Sequence, residues 1–124
     1  MQRRILVIDG DPVTTKLAEA SLRREGHVVV SANCGTAALG VLARETVDLI
    51  LMDIQLRDVT GIALLKQIRS RPQTSNIPVL MLTAETSLSI ADRMREGGAN
   101  GYLVKPCPPG ALIERVEELL ADAA

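Results

Sequence analysis

Five short, uninterrupted apolar runs restrict the possible folds of this chain more than any other feature. They occupy residues 5–8, 28–30, 49–52, 77–82 and 102–104. Continuous apolar runs of this length are typical of strands that are buried on both faces, as in a parallel sheet. A helical pattern follows each run, so the sequence predicts an alternation of strand and helix along the whole chain.

Capping residues and apolar periodicity place five helices between and after these runs. Asp11 is the predicted N-cap of the first helix, because Pro12 behind it is well tolerated in a first turn. The other helices are predicted over 36–44, after Gly61, from Ser87 to Gly97-Gly98, and from Pro109 onward. Five βα units predict an α/β, flavodoxin-like doubly wound (βα)5 fold, with a five-stranded parallel sheet of order 2-1-3-4-5 and helices on both faces. The 124 residues contain no repeat or linker, so a single domain is expected over 1–124.

Composition excludes several classes of function. A formal net charge of −1 leaves no basic stripe for general nucleic-acid binding, and one aromatic residue, Tyr102, is too few for base stacking. Cys34 and Cys107 form no CxxC pair, and His27 has no partner at metal-ligand spacing, which argues against a zinc site. No signal peptide is visible and no apolar stretch approaches the ~18 residues of a spanning helix, so we expect a cytoplasmic protein that contacts no membrane.

Polar residues stand where four of the predicted strands end. Asp9 and Asp11 follow the first strand, Asp53 the third, Thr83 the fourth and Lys105 the fifth. Ligands of such sheets bind outside the carboxyl ends of the strands, so these side chains are expected at one edge. Carboxylates without His or Cys partners suit Mg²⁺, and a carboxylate can act as a nucleophile toward phosphorus. A lysine and a hydroxyl can hold phosphoryl oxygens. Glycine-rich phosphate loops are absent, which argues against dinucleotide-binding and P-loop enzymes.

Five segments of the chain resemble the receiver domain of two-component response regulators. They are residues 5–9, 32–39, 48–56 with Gly61, 77–84 and 98–106. Any one segment is weak evidence, but five in order at the family's spacing are specific, and they span nearly the whole chain. The resemblance implies a phosphorylation-controlled signalling module. Such a domain takes part in its own phosphorylation and dephosphorylation and is not a turnover enzyme.

The resemblance also implies a role for each residue at the sheet edge. Asp53 would be the phosphoacceptor, receiving a phosphoryl group from a histidine kinase or a histidine phosphotransfer protein. Asp9, Asp53 and the backbone carbonyl of Gln55 would bind Mg²⁺. Thr83, after reorienting, and Lys105 would contact the phosphoryl oxygens.

Receivers couple this site to a protein-binding face. By resemblance, Tyr102 is the aromatic switch that turns inward when Thr83 moves, although a half-buried aromatic on an edge strand explains it equally well. The face made by helix 4, strand 5 and helix 5 would bind a downstream protein or output domain, or a second copy of the chain in a homodimer. Gln55 and Glu85 would flank the acceptor and tune the loss of the phosphoryl group to water. The bond before Pro106 would be cis.

The chain departs from the family pattern at Gly10, where receivers usually carry a second metal-binding acid. Three outcomes are compatible with this difference. Asp11 replaces the missing acid, helped by the flexibility of Gly10. Alternatively, Asp9 and Asp53 suffice, with a water in the gap and a weaker affinity. In the third outcome metal-dependent phosphorylation is lost, and the chain is a pseudo-receiver that binds proteins independently of phosphate.

A rival resemblance starts from the same residues. Asp9, Gly10 and Asp11 match the D-x-D-x-[TV] motif of haloacid dehalogenase-type phosphatases, in which Asp9 would be the nucleophile and Asp11 the general acid/base. That family needs a further acidic metal motif after a later strand, and only the last predicted helix follows Lys105. The motif also leaves Asp53 and its flanking pattern unexplained, so the receiver interpretation is preferred.

Overall fold

A computed structural model describes residues 2–123 of the chain, and within this range strands and helices alternate. The elements are β1 (Arg4–Ile8), α1 (Pro12–Arg24), β2 (Val28–Ala32), α2 (Gly35–Arg44), β3 (Leu49–Asp53), α3 (Gly61–Ser70), β4 (Val79–Thr83), α4 (Leu88–Gly97), β5 (Gly101–Val104) and α5 (Pro109–Ala123). The strands form one parallel sheet of order β2-β1-β3-β4-β5. The predicted flavodoxin-like (βα)5 architecture is confirmed.

Two apolar clusters cover the two faces of the sheet, which explains why β1, β3 and β4 are apolar at every position except one end residue each. Side chains of a strand alternate between faces, so a strand covered on both faces needs apolar residues at every position. Leu6 and Met52 belong to the cluster beneath α2, α3 and α4. Their neighbours Val7 and Leu51 belong to the opposite cluster, beneath α1 and α5.

The fifth strand differs from the expectation of full burial. β5 pairs with β4 at one edge of the sheet, and its residues alternate between half-buried and exposed positions. Leu103 packs against the cluster beneath α1 and α5, whereas Tyr102 and Val104 on the other face are 42% and 40% exposed. A run of three apolar residues does not reveal whether a strand is central or at an edge.

Most helix ends lie where the capping residues predict them. Asp11 caps α1 through Val13 N–H, Ser87 caps α4 through Ile90 N–H, and the left-handed Gly98 ends α4. Helix α2 begins one residue earlier than predicted, at Gly35. None of the helices within residues 2–123 combines the length and hydrophobicity that crossing a bilayer requires.

Candidate functional site

The parallel sheet brings four of the predicted polar residues to one edge. Asp9 follows β1, Asp53 ends β3, Thr83 ends β4 and Lys105 follows β5. Backbone hydrogen bonds continue beyond the strand ends, from Asp9 N–H to the Ala32 carbonyl (3.1 Å) and from Lys105 N–H to the Thr83 carbonyl (2.8 Å). The side chains are therefore positioned by the sheet itself rather than by free loops.

Lys105 connects the two carboxylates of the site. Its Nζ lies 2.7 Å from Asp9 Oδ2 and 3.3 Å from Asp53 Oδ2. Asp9 is buried, while Asp53 and Lys105 retain a small exposed fraction. One ammonium thus neutralises two carboxylates only in part, and the cluster keeps a net negative charge that favours a cation.

The pKa shifts in this cluster follow from burial and from the two like charges. Burial, and then the charge of Asp9, raise the pKa of Asp53, and Lys105 opposes this only in part. Burial lowers the pKa of Lys105, but its hydrogen bond with Asp9 and the charges of both carboxylates outweigh burial and leave the pKa raised. Lys105 is consequently a cation at neutral pH.

Thr83 is fully buried, and its hydroxyl is engaged within the β4–α4 loop. Its Oγ1 accepts a hydrogen bond from Glu85 N–H at 2.9 Å and donates to the Glu85 carbonyl at 3.4 Å. A hydroxyl engaged in this way must exchange partners before it can bind a group attached to another strand. Such an exchange would leave the Glu85 N–H and carbonyl without the Thr83 hydroxyl as a partner.

Gln55 joins the loops on either side of the site. Its N–H donates to Asp53 Oδ1 at 3.3 Å, and its side-chain amide donates to Glu85 Oε1 at 3.2 Å. The Gln55 side chain is exposed, so the bridge lies at the entrance to the site. The loop between Asp53 and α3 is tight, because a Cβ at Gly61 would lie only 2.4 Å from the Asp53 carbonyl oxygen.

The structure brings Asp11 near the site through its backbone, whereas its side chain caps α1. The carboxylate accepts hydrogen bonds from Thr14 Oγ1 (2.7 Å) and Val13 N–H (3.1 Å), and these bonds, the Thr14 bond first, lower its pKa. Its N–H donates to Asp9 Oδ1 at 2.8 Å. Asp11 would have to abandon the cap in order to replace the missing acid.

Gly10 has room for a side chain. The nearest heavy atom to a Cβ built there is the Asn33 carbonyl oxygen at 3.6 Å, an ordinary contact distance. Within residues 2–123, no group of three or more His, Cys, Asp and Glu side chains is arranged to hold a metal. The pair Asp9 and Asp53 still fits Mg²⁺, which usually takes one or two protein carboxylates and keeps several waters.

The remaining predicted residue, Tyr102, lies on β5 with 42% of its surface exposed. Its side chain is therefore partly exposed to solvent and not buried in the site. The Lys105–Pro106 bond is cis. Both cysteines have free thiols, Cys34 buried and Cys107 half-buried.

Sequence reasoning missed Asp58, whose carboxylate caps α2 from another loop. It accepts hydrogen bonds from Gly35 N–H (2.8 Å), Thr36 N–H (3.0 Å) and Thr36 Oγ1 (2.9 Å). These bonds, the Gly35 bond first, lower the pKa of Asp58 to about 2. The only signal in the sequence is the lack of a good capping residue at Cys34, which says nothing about a carboxylate more than twenty residues away.

Comparison with known proteins identifies the same family over most of the chain. Residues 5–117 match the family model of the response regulator receiver domain. The polar-differentiation response regulator DivK of Brucella ovis is 29% identical over 123 residues, covering 99% of this chain and 100% of that protein.

Solved structures with similar folds include two relatives. The chemotaxis response regulator CheY4 of Vibrio cholerae has a TM-score of 0.91 and 28% identity, over 96% of this chain and 99% of that chain. The receiver domain of a sensor histidine kinase from Pseudomonas aeruginosa has a TM-score of 0.89 and 27% identity, over 98% of this chain and 99% of that chain. That second structure contains a magnesium ion coordinated in its active site cleft.

Proposed function

Because the chain belongs to the response regulator receiver domain family, we propose that it is a cytoplasmic, phosphorylation-controlled module of two-component signalling. In this proposal residues 1–124 are one receiver domain, and Asp53 accepts a phosphoryl group from a histidine kinase or a histidine phosphotransfer protein. The observation that carries the proposal is the bridge of Lys105 to both Asp9 and Asp53 at the carboxyl ends of the strands.

The chemistry assigned to Asp53 is nucleophilic. One of its carboxylate oxygens would bond to phosphorus while the P–N bond of the donor phosphohistidine breaks and the imidazole leaves with the electron pair. The Lys105 ammonium lies 3.3 Å from Asp53 Oδ2, so it would be close enough to pair with the oxygens of a phosphoryl group attached there. Thr83 would give up its bonds to Glu85 and donate to the phosphoryl group, which links the modification to the β4–α4 loop.

Mg²⁺ is the cofactor that we propose, held by Asp9, Asp53 and the backbone carbonyl of Gln55. When bound, it would neutralise the charge that develops on the transferring phosphoryl group. The chemical character of the ligands supports this choice, because two carboxylates and a carbonyl are hard oxygen donors. We assign Asp11 to the cap of α1, so the site would work with two acids and bind the metal more weakly than a three-acid site.

The modified site is proposed to control the face made by α4, β5 and α5. This face carries the exposed Tyr102 and Val104, and it adjoins the loop that contains Glu85. Movement of Thr83 would alter that loop and allow Tyr102 to turn inward. The face would then bind a downstream protein or output domain, or a second copy of the chain.

A pseudo-receiver is the second candidate, and Gly10 is the observation that favours it. Without the usual acid, the cluster attracts a divalent cation less strongly, and Lys105 alone already pairs with both carboxylates. In that case the chain would bind its partner without phosphate. We do not propose phosphatase chemistry of the haloacid dehalogenase type, because the Asp11 carboxylate caps α1 and Asp53 would have no role.

Intact-mass spectrometry after incubation with acetyl phosphate, with and without Mg²⁺, tests the proposal. We expect the wild-type chain to gain one phosphoryl group only with Mg²⁺, and Asp53→Asn to gain none while keeping its fold. Modification that persists in Asp53→Asn would overturn the assignment of the acceptor. No gain by the wild type at any Mg²⁺ concentration would leave the pseudo-receiver as the better account.

A further inference from the structure

The loop between β3 and α3, residues 54–60, is attached to the start of α2 through its tip. The tip residue Asp58 accepts the hydrogen bonds from Gly35 and Thr36 described above. Beside it, Val59 packs so closely that a Cβ at Gly35 would lie 2.4 Å from its Cγ1. Arg57 Nη2 adds a contact with Cys34 Sγ at 3.8 Å. Three successive loop residues therefore contact three successive residues of the β2–α2 junction.

Helix α2 depends on this loop for its cap. The first N–H groups of a helix have no partners within the helix and need an external acceptor. Cys34 occupies the N-cap position with extended backbone angles (φ −161°, ψ 170°), but among the described residues its side chain caps none of these groups. Asp58 supplies the missing acceptors, so one carboxylate stabilises the helix and the loop together.

The base of the same loop lies at the candidate site. Gln55 N–H donates to Asp53 Oδ1 at 3.3 Å, and Gly61 N–H donates to the Ile54 carbonyl at 2.7 Å. Gln55 and Thr60 form an isolated bridge that closes the loop between its base and its tip. In a loop this short, the position of the tip restricts the orientation of the Gln55 peptide group.

We propose that Asp58 is a positioning residue for phosphoryl transfer at Asp53. By binding the start of α2, it fixes the loop so that the Gln55 N–H and carbonyl are held beside the acceptor. This inference rests on the function proposed above. Gly10 makes this positioning by Asp58 more important, because a site with one acid fewer depends more on the Gln55 carbonyl for its metal.

Asp58 both caps α2 and holds the β3–α3 loop, and these two effects can be separated by supplying the cap from another residue. Asp58→Ala removes the cap of α2 and the hydrogen-bonded part of the loop attachment together, and it leaves the contacts of Val59 and Arg57 in place. Adding Cys34→Ser to this variant gives α2 a hydroxyl at its own N-cap, where the extended backbone suits a capping side chain. The double variant therefore has a capped helix and a loop without its Asp58 hydrogen bonds, and Cys34→Ser alone is the matched control.

Two readouts apply to all four proteins: amide hydrogen exchange without metal, followed by NMR, and Mg²⁺ binding by calorimetry. For Asp58→Ala we expect faster exchange at Gln55 and Gly61 as well as at Gly35 and Thr36. Mg²⁺ binding should weaken by about tenfold, the lower end of the effect of losing outer support for a metal ligand. The double variant should regain thermal stability and protection at Thr36, but neither protection at Gln55 nor Mg²⁺ affinity.

Either of two results would overturn the inference. Exchange at Gln55 and Gly61 that is unchanged in Asp58→Ala would mean that Asp58 only caps α2. Mg²⁺ affinity that returns with Cys34→Ser would mean the same. Failure of the proposed function is distinguished from both, because it would appear as a wild-type chain that neither binds Mg²⁺ nor takes a phosphoryl group, while the exchange experiment needs neither.

Discussion

Replacing Gly10 by Asp is expected to tighten Mg²⁺ binding, because it restores an acid beside Asp9 without a steric penalty. The added Cβ would meet the Asn33 carbonyl oxygen at 3.6 Å, an ordinary contact, and the backbone at Gly10 needs no left-handed conformation. A carboxylate about 5 Å from a divalent cation contributes about 1.7 kcal/mol even at the dielectric constant of bulk water. The dissociation constant should therefore fall by at least about tenfold.

The same charge has the opposite effect without metal. The charge of Asp9 already raises the pKa of Asp53, so a third carboxylate adds repulsion that Lys105 alone does not cancel. Gly10→Asp should accordingly melt below the wild type in a chelator and gain more stability from saturating Mg²⁺. Calorimetric titration gives the affinity, because the chain has no Trp to report binding by fluorescence.

Gly10→Asn is the matched control for Gly10→Asp, since it has nearly the same shape and no charge. Its dissociation constant should stay within about threefold of the wild-type value, because a neutral amide lacks the charge term. An unchanged titration for Gly10→Asp would refute the reasoning, as would an equal gain in Gly10→Asn. The first result would mean that Gly10 does not limit the metal affinity, and the second that shape rather than charge does.

Three further predictions concern the support of the site and the opposite end of the sheet. The Asp58 carboxylate has a folded pKa of about 2, below its ordinary value of 3.8, so its contribution to stability is full above about pH 4 and is lost as the pH falls toward 2. The difference in the free energy of unfolding between the wild type and Asp58→Asn, measured with urea, should shrink over that pH interval. A constant difference would contradict this prediction. Gly61→Ala should lower the free energy of unfolding by about 1–3 kcal/mol and abolish phosphorylation, because its Cβ would collide with the Asp53 carbonyl. A variant that unfolds and is phosphorylated like the wild type would show that the loop adapts. His27→Ala should lower the free energy of unfolding, measured by chemical denaturation, by about 2 kcal/mol, because buried His27 bonds Glu117 at 2.8 Å. This pair lies far from the site, so Mg²⁺ affinity should not change, and a changed affinity would reveal coupling through the sheet.

The fold could be predicted because its main signals are local in sequence. A continuous apolar run, a capping residue and a following apolar stripe each fall within one element, and the pattern repeats five times. The placement of Asp9, Asp53, Thr83 and Lys105 follows with little further information, because parallel strands share one carboxyl edge. The exposed face of β5 does not follow from its run of three apolar residues, but it agrees with the predicted strand order, which places the fifth strand at an edge of the sheet.

The contacts that sequence reasoning missed are those between residues far apart in the chain. Asp58 caps a helix that begins 23 residues earlier, and no local pattern at Gly35 identifies which loop supplies the acceptor. For Asp11 the difficulty is different, because its sequence position fits two roles. Its position two residues after Asp9 suits both a metal ligand and a helix cap, and only the hydrogen bonds to Val13 and Thr14 distinguish these uses.

The charge of the site connects the departure at Gly10 with its proposed chemistry. Asp9 and Asp53 with Lys105 carry a net charge of −1, which a divalent cation would change to +1. With an acid at Gly10, the corresponding charges would be −2 and zero. The missing acid therefore weakens the attraction for the metal, yet it leaves the loaded site more attractive to a doubly negative phosphoryl group. Gly10 therefore does not by itself imply a site that cannot be phosphorylated, because weaker metal binding and stronger attraction for the phosphodonor arise from the same missing charge.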